Sequence, residues 1–335
     1  SVSGYVDFLG ATSTLGGAGG VVNFVTSTSG YSIYNTLRAN TANGVLTIGP
    51  GITIQGGTGS IGYNAYLGGA STISVVNQGT ISANAAGTLA VNGTNWTNSG
   101  TIQGVNGGSV TLAGSWTNDG AISIAGSGAL NLGGAWSNAG TITDTNSTVN
   151  LGGTFTLAQL NTFQRTGGTV NLTGTLVNTG STLALDATSG SWHLVGGTIQ
   201  GGTVTFKDGA RLVGSNSLGH FTGGVTLQGD ASLAQPPALD LNTVYGAGVD
   251  VTGGLTLNNA TITVGAATSN FWGYVDFLGA NSTLAGAGGV VNFVTNASGY
   301  SVYNMLRVNT SGGSLTIAPG ITVRGGTGAI GYNST

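Results

Sequence analysis

Triplets of apolar, polar and apolar residues recur along the chain. Leu46-Thr47-Ile48, Ile52-Thr53-Ile54, Val110-Thr111-Leu112, Leu130-Asn131-Leu132, Val149-Asn150-Leu151 and Val170-Asn171-Leu172 open the series. Val204-Thr205-Phe206, Val225-Thr226-Leu227 and Leu255-Thr256-Leu257 continue it. Alternation with period two sends the apolar pair to one face of a strand and the Thr or Asn to the other. From Val110 the first residues of successive triplets lie 20, 19 and 21 positions apart. Between them stands a second phrase: NWTNSGTIQ at 95–103, SWTNDGAIS at 115–123 and AWSNAGTIT at 135–143. A period near twenty with two strand-like pieces per period predicts coils stacked on one another, each setting its apolar pair over the last. The predicted fold is all-β, a right-handed parallel β-helix (β-solenoid) with coils of about 20–22 residues.

The corners follow the same period. Asn77-Gln78-Gly79, Asn98-Ser99-Gly100, Asn118-Asp119-Gly120, Asn138-Ala139-Gly140 and Asn178-Thr179-Gly180 share one N-x-G frame. Asn and Gly accept the backbone angles of a tight corner, and stacked Asn side chains can hydrogen-bond from coil to coil. Asn77, Asn98, Asn118, Asn138 and Asn178 are therefore expected as a structural ladder. Trp96, Trp116 and Trp136 are spaced alike and are expected to stack in the core or over a corner, with a sugar-binding aromatic ladder as the alternative. The frame lapses over 154–167, which predicts an irregular coil or a loop. Pro236-Pro237, within 231–248, predicts a loop or a break in stacking, because proline cannot donate to a ladder.

A longer repeat lies over the short one. Residues 4–64 return at 273–333 with a constant offset of 269, identical at 47 of 61 aligned positions. Replacements such as Ile33 by Val302 and Ile54 by Val323 keep the side-chain type, as a shared core requires. Residues 1–269 thus read as one tandem unit, a 4–64 module followed by a 65–268 array of N-x-G coils, and 270–335 as the start of the next. The expected native protein is longer and built from such units.

Composition narrows the function classes. Glycine supplies 65 residues, charged residues only 4%, the nine acids are all Asp, and the net charge is −3. Disorder needs low hydrophobicity with high charge, whereas mean hydropathy here is +0.25 and apolar positions are regular. Abundant Gly, Thr, Asn, Ser and Val disfavour helix. Without cysteine there is neither disulfide nor thiolate metal site. No apolar run of the length of a membrane helix exists, and six Lys and Arg in all give no footprint for nucleic acid.

The frame L/W-x-N-x-G-x-I, alternating with G-x-L-x-L-x-G, resembles the repeats of filamentous-haemagglutinin-like and autotransporter-type bacterial surface proteins. Val76–Ile81, Trp96–Ile102, Trp116–Ile122, Trp136–Ile142 and Leu176–Leu183 carry the resemblance, which covers about 70 to 230 well. It implies a secreted right-handed parallel β-helix acting as an adhesin or surface fibre. Low charge and the nearly verbatim long repeat favour a shaft over a discriminating tip.

Residues 186–250 hold five of the nine Asp and both His. Asp186, Asp208 and Asp230 are 22 residues apart, close to one coil, so they can stack into a carboxylate column, and His193, Lys207 and Arg211 share their region as a candidate ligand or calcium patch. Such a column suits a glycan groove or a calcium ion, while Lys207-Asp208-Gly209 and Gly229-Asp230-Ala231 suit turns in which Asp caps its own backbone. No catalytic residue or metal site is assigned, and calcium is the one ion weighed. The leading expectation is a non-enzymatic structural protein, the shaft of an extracellular bacterial surface fibre or giant adhesin. A glycan-binding adhesin is the alternative, and a β-helix glycan lyase or hydrolase a further one. Expected partners are copies of itself, end to end or side by side, and surface glycans.

Overall fold

A computed structural model describes residues 3–26 and 31–331. The fold is a parallel β-solenoid. It divides by contact into two compact units, Ser1–Thr169 and Val170–Thr335. That division falls inside the 269-residue repeat, and the last residues of the 273–333 copy lie outside the described residues.

Each coil carries three short strands, one more than the two phrases of the sequence period suggest. In the first unit one sheet stacks Gly20–Phe24, Ile52–Gly56, Thr80–Ala83, Thr101–Gly104, Ala121–Ala125, Thr141–Thr145 and Thr162–Thr166 in parallel. Two further columns complete the coils, beginning at Tyr5–Phe8 and at Thr12–Leu15. Strands Gly87–Asn98 and Gly108–Asn118 belong to both of these columns, with a register shift between Gly93 and Trp96 at the corner. Asn95 makes that corner with φ 52°, a left-handed angle that Asn tolerates.

The second unit repeats the plan. One sheet stacks Thr182–Leu185, Thr203–Phe206, Val225–Gln228, Leu255–Asn258, Asn281–Ala285 and Ser314–Ile317. A second column runs from Trp192–Leu194 through Leu212–Gly214, Pro237–Leu241, Thr261–Val264 and Gly289–Phe293 to Ile321–Gly325. The third runs from Thr198–Gln200 through Gly219–Thr222, Ala247–Val251, Gly273–Phe277 and Met305–Val308 to Ala329–Ile330. Pro237 begins a strand instead of ending the stack, since the first residue of a strand has no obligatory donor, and a register shift follows it.

In both units the apolar members of each triplet are the core. Leu46, Ile48, Val110, Leu130, Val149, Val170, Val225 and Leu257 are fully buried. Coil length departs from the expected 20–22 residues outside the stretch of tight N-x-G corners, and within 65–268 as well: Leu212 lies level with Leu239 and Val225 with Leu255. Between Asn77 and Asn150 coil-to-coil side-chain bonds span 19 to 21 residues, but Arg211 reaches Asp240 across 29, Arg38 reaches Asp7 across 31 and Thr295 reaches Thr327 across 32. The extra residues lie between strands, for example in the single 3₁₀ turns Tyr31–Tyr34 and Tyr300–Tyr303, and leave the three-strand stack intact. The lapse at 154–167 is a one-turn helix, Leu157–Leu160. It is capped by Thr156, whose hydroxyl accepts from the Gln159 N–H while the Gln159 side chain accepts from the Thr156 N–H.

Candidate functional site

The corner asparagines point inward. Asn77, Asn98 and Asn118 are wholly buried and Asn138 nearly so. The Nδ2 of Asn77 donates to Oδ1 of Asn98, Asn98 to Asn118 and Asn118 to Asn138, each at 2.6 Å. The same amides reach the carbonyls of Gly79, Gly100 and Gly120 at 3.2–3.4 Å, which ties each rung to its own corner. Asn138 ends the ladder by donating to the Leu160 carbonyl at 3.0 Å, at the close of the one-turn helix. Asn178 belongs to the second unit, where its Nδ2 donates to the Thr203 carbonyl at 2.9 Å.

The tryptophans form a second buried column beside the asparagines. Trp96 and Trp116 stack at 5.3 Å, Trp116 and Trp136 at 5.5 Å, and Phe155 closes the column 4.9 Å from Trp136. Their indole N–H groups donate to the carbonyls of Ala113, Gly133 and Gly152 at 2.8–3.0 Å. With at most 2% of each residue exposed, these rings are shut away from any sugar. Along the same strands lies a groove of about 490 Å³, lined by Asn95, Ser115, Gln159 and the three tryptophans, of which at most 2% is exposed. No charged residue lines it.

The acid-rich segment does not form the expected column. Leu185 pairs with Phe206 and Thr205 with Gln228, so the residues that follow set Asp186, Lys207 and Asp230 level. Unequal coils carry Asp208 one place beyond them. Asp186 caps its own turn, accepting from the Thr188 and Ser189 N–H groups at 2.8 and 3.0 Å. These donors, Ser189 first, hold its carboxyl below the usual range, and the Lys207 charge adds to that. Asp230 accepts from the Ser232 N–H at 2.9 Å, and its carboxyl is lowered chiefly by that bond, with Lys207 again helping. Asp208 is exposed in a left-handed turn with φ 54°. Arg211 is drawn away, donating to Asp240 at 2.8 Å. His193 lies mid-strand, level with Asn171 and Val213. Among the described residues no three His or Asp side chains come together as metal ligands.

Two clusters escaped the reading of the sequence. The first is an ion pair present in both copies of the long repeat. Arg38 donates through Nε to Asp7 at 2.8 Å and through Nη1 to the Gly68 carbonyl, and Asn40 donates to Asp7 at 2.8 Å. Arg307 and Asn309 grip Asp276 likewise, at 2.6, 2.8 and 3.1 Å. The Arg38 hydrogen bond, against the opposing cost of burial, holds the Asp7 carboxyl below its usual range. The signal was available: charges are scarce, and Asp7 and Arg38 both return at the offset of 269.

The second cluster is aromatic. Trp272 lies 5.5 Å from Tyr245, 5.7 Å from Tyr274 and 5.9 Å from Tyr303, and Tyr300 lies 6.1 Å from Tyr245. Arg307 stands 5.8 Å over the Tyr274 ring. In the same register column His220 approaches Asp250 at 3.5 Å and Asp250 lies level with Asp276. Burial pushes the Asp250 carboxyl above its usual range, His220 partly offsets this, and Asp276 adds to the rise. Spacing could not join Tyr245 and Trp272, which belong to loops of coils of different length. No described helix is long and apolar enough to cross a membrane. Comparison with family models, curated proteins and solved structures finds no match to this chain.

Proposed function

We propose that this chain is a structural protein, part of the shaft of an extracellular fibre or giant surface adhesin assembled from tandem copies of the 269-residue repeat. The observation that carries the reading is the pair of columns that bond from coil to coil. Asn77, Asn98 and Asn118 donate their amides up the ladder to Asn138, and Trp96, Trp116 and Trp136 spend their N–H groups on neighbouring coils. The residues most regular in sequence therefore serve stacking. Asp186 and Asp230 serve their own turns, and Asp240 and Asp250 pair with Arg211 and His220. Extracellular placement follows from the resemblance of the N-x-G frame to secreted β-helix repeats. Immuno-electron microscopy of the producing cells tests the reading: label along filaments at the cell surface supports it, and label confined to the cell interior overturns it.

The aromatic cluster favours a second reading, a glycan-binding adhesin. Tyr245 is 53% and Tyr300 37% exposed, beside the Arg307–Asp276 pair, and flat rings with adjacent hydrogen-bonding groups suit a sugar face. A glycan array decides it: a binder lost in Tyr245→Ala and Tyr300→Ala supports this reading, and no binder above background removes it.

A further inference from the structure

The two copies of the long repeat differ in what covers them. In the second copy Val275, Leu284, Val290 and Val291 are fully buried. The strands Ala247–Val251, Leu255–Asn258 and Thr261–Val264 lie on them, with Val249 level with Val275, Leu255 with Leu284 and Ile262 with Val291. The Leu278, Val290 and Val294 N–H groups donate to the carbonyls of Val251, Ala260 and Val264 at 2.9 Å. The first copy carries the same residues 269 positions earlier, yet Val6 is 52% and Val21 61% exposed, and Tyr5, the counterpart of Tyr274, is 62% exposed. Three strand edges, at Tyr5–Phe8, Thr12–Leu15 and Gly20–Phe24, thus present an apolar face whose twin is buried.

We infer that this face is a docking surface for a second copy of the Pro237–Val264 coil, supplied by another copy of the repeat. The fit is specific in shape. A Cβ at Gly248 would stand 2.4 Å from the Tyr274 ring, so glycine there makes the seat for that ring, and Tyr5 is the ring that a second such seat would receive. It is specific in polarity as well. The Leu9, Val21 and Val25 N–H groups stand where Leu278, Val290 and Val294 stand in the covered copy, so the Val251, Ala260 and Val264 carbonyls of the incoming coil would meet them. The inference deepens the tandem reading and rests on it for the source of the covering coil.

The test extends the full 335-residue chain before Ser1 with residues 237–269, and in a second protein with 206–269, which keeps the offset of the repeat. Hydrogen exchange is then followed at the amides of 5–9 and 20–25. Exchange slowed about tenfold or more by either extension, and restored when the extension carries Gly248→Val, is the expected result. Unchanged exchange with both extensions overturns the inference. The measurement is made on isolated protein, so it can fail while native filaments are found, or succeed while they are not.

Discussion

Asn98 donates its side-chain amide to Asn118 at 2.6 Å, twenty residues along the chain, with both residues fully buried. The bond carries the sequence period into energy. Asn98 and Asn118 each donate to one rung and accept from another, so removing either orphans two buried groups, at about 1–3 kcal/mol apiece. Asn118→Ala should lower the stability of the first unit by about 2–5 kcal/mol, read from chemical unfolding. A loss below about 0.5 kcal/mol, the size of an ordinary surface change, would show the ladder to be incidental.

The tryptophan column should behave as core. Trp116→Ala removes a ring packed between two others and should cost about 3–5 kcal/mol. Trp116→Phe keeps the stacking and loses the N–H donated to Gly133, so it should cost less, about 1–3 kcal/mol. Equal losses in the two variants would contradict stacking as the main contribution.

Two acids of the first unit, the half-buried Asp7 and the buried Asp144, predict opposite pH responses. Asp7 has a lowered carboxyl pKa because Arg38 bonds the ion, so its contribution is present above the unfolded value, 3.8, and is lost as pH falls through the lower folded one. Asp144 is raised by burial, although the Ser147 N–H bond opposes the shift, and its Oδ2 has no partner among the described residues. The contribution of Asp144 is therefore fully present below 3.8 and is lost as pH rises through its higher folded value. Relative to wild type, Asp7→Asn should be most damaging near neutrality and Asp144→Asn least so. Unfolding midpoints from pH 3 to pH 8 with the two differences running the same way would refute this assignment.

The seat at Gly248 gives a local test in the second unit. Gly248→Ala should force the Tyr274 ring aside and destabilise that unit by about 1–3 kcal/mol, as overpacking does. An unchanged midpoint, or a Tyr274 ring unmoved in the variant, would remove the steric argument.

Much of the fold was legible because burial imposes a period. Val110-Thr111-Leu112 and its successors alternate as half-buried strands must, and Asn98-Ser99-Gly100 marks a corner by backbone tolerance. Coil length was legible only where the corners are tight. Around Tyr31–Tyr34 and Tyr300–Tyr303 the chain adds residues between strands, where no strand-to-strand register enforces spacing. The same irregularity decides between the two readings of 186–250, in favour of Asp186 and Asp230 capping their own turns. Equal spacing suggested Asp186, Asp208 and Asp230, whereas the register sets Lys207 between the outer two and so alternates the charge. The Asp7–Arg38 pair was hidden for another reason: 47 identical positions out of 61 give no ranking, and only the scarcity of charge singles the pair out.

The most direct test of the tandem shaft is mass per length of native filaments by scanning transmission electron microscopy. A single solenoid strand with coils of 20 to 32 residues, at 32.7 kDa for 335 residues and a coil rise of about 4.8 Å, predicts about 4–7 kDa per nm. Filaments in that range are the expected result. Discrete particles with no filaments, under conditions in which the chain is abundant at the cell surface, would contradict the account.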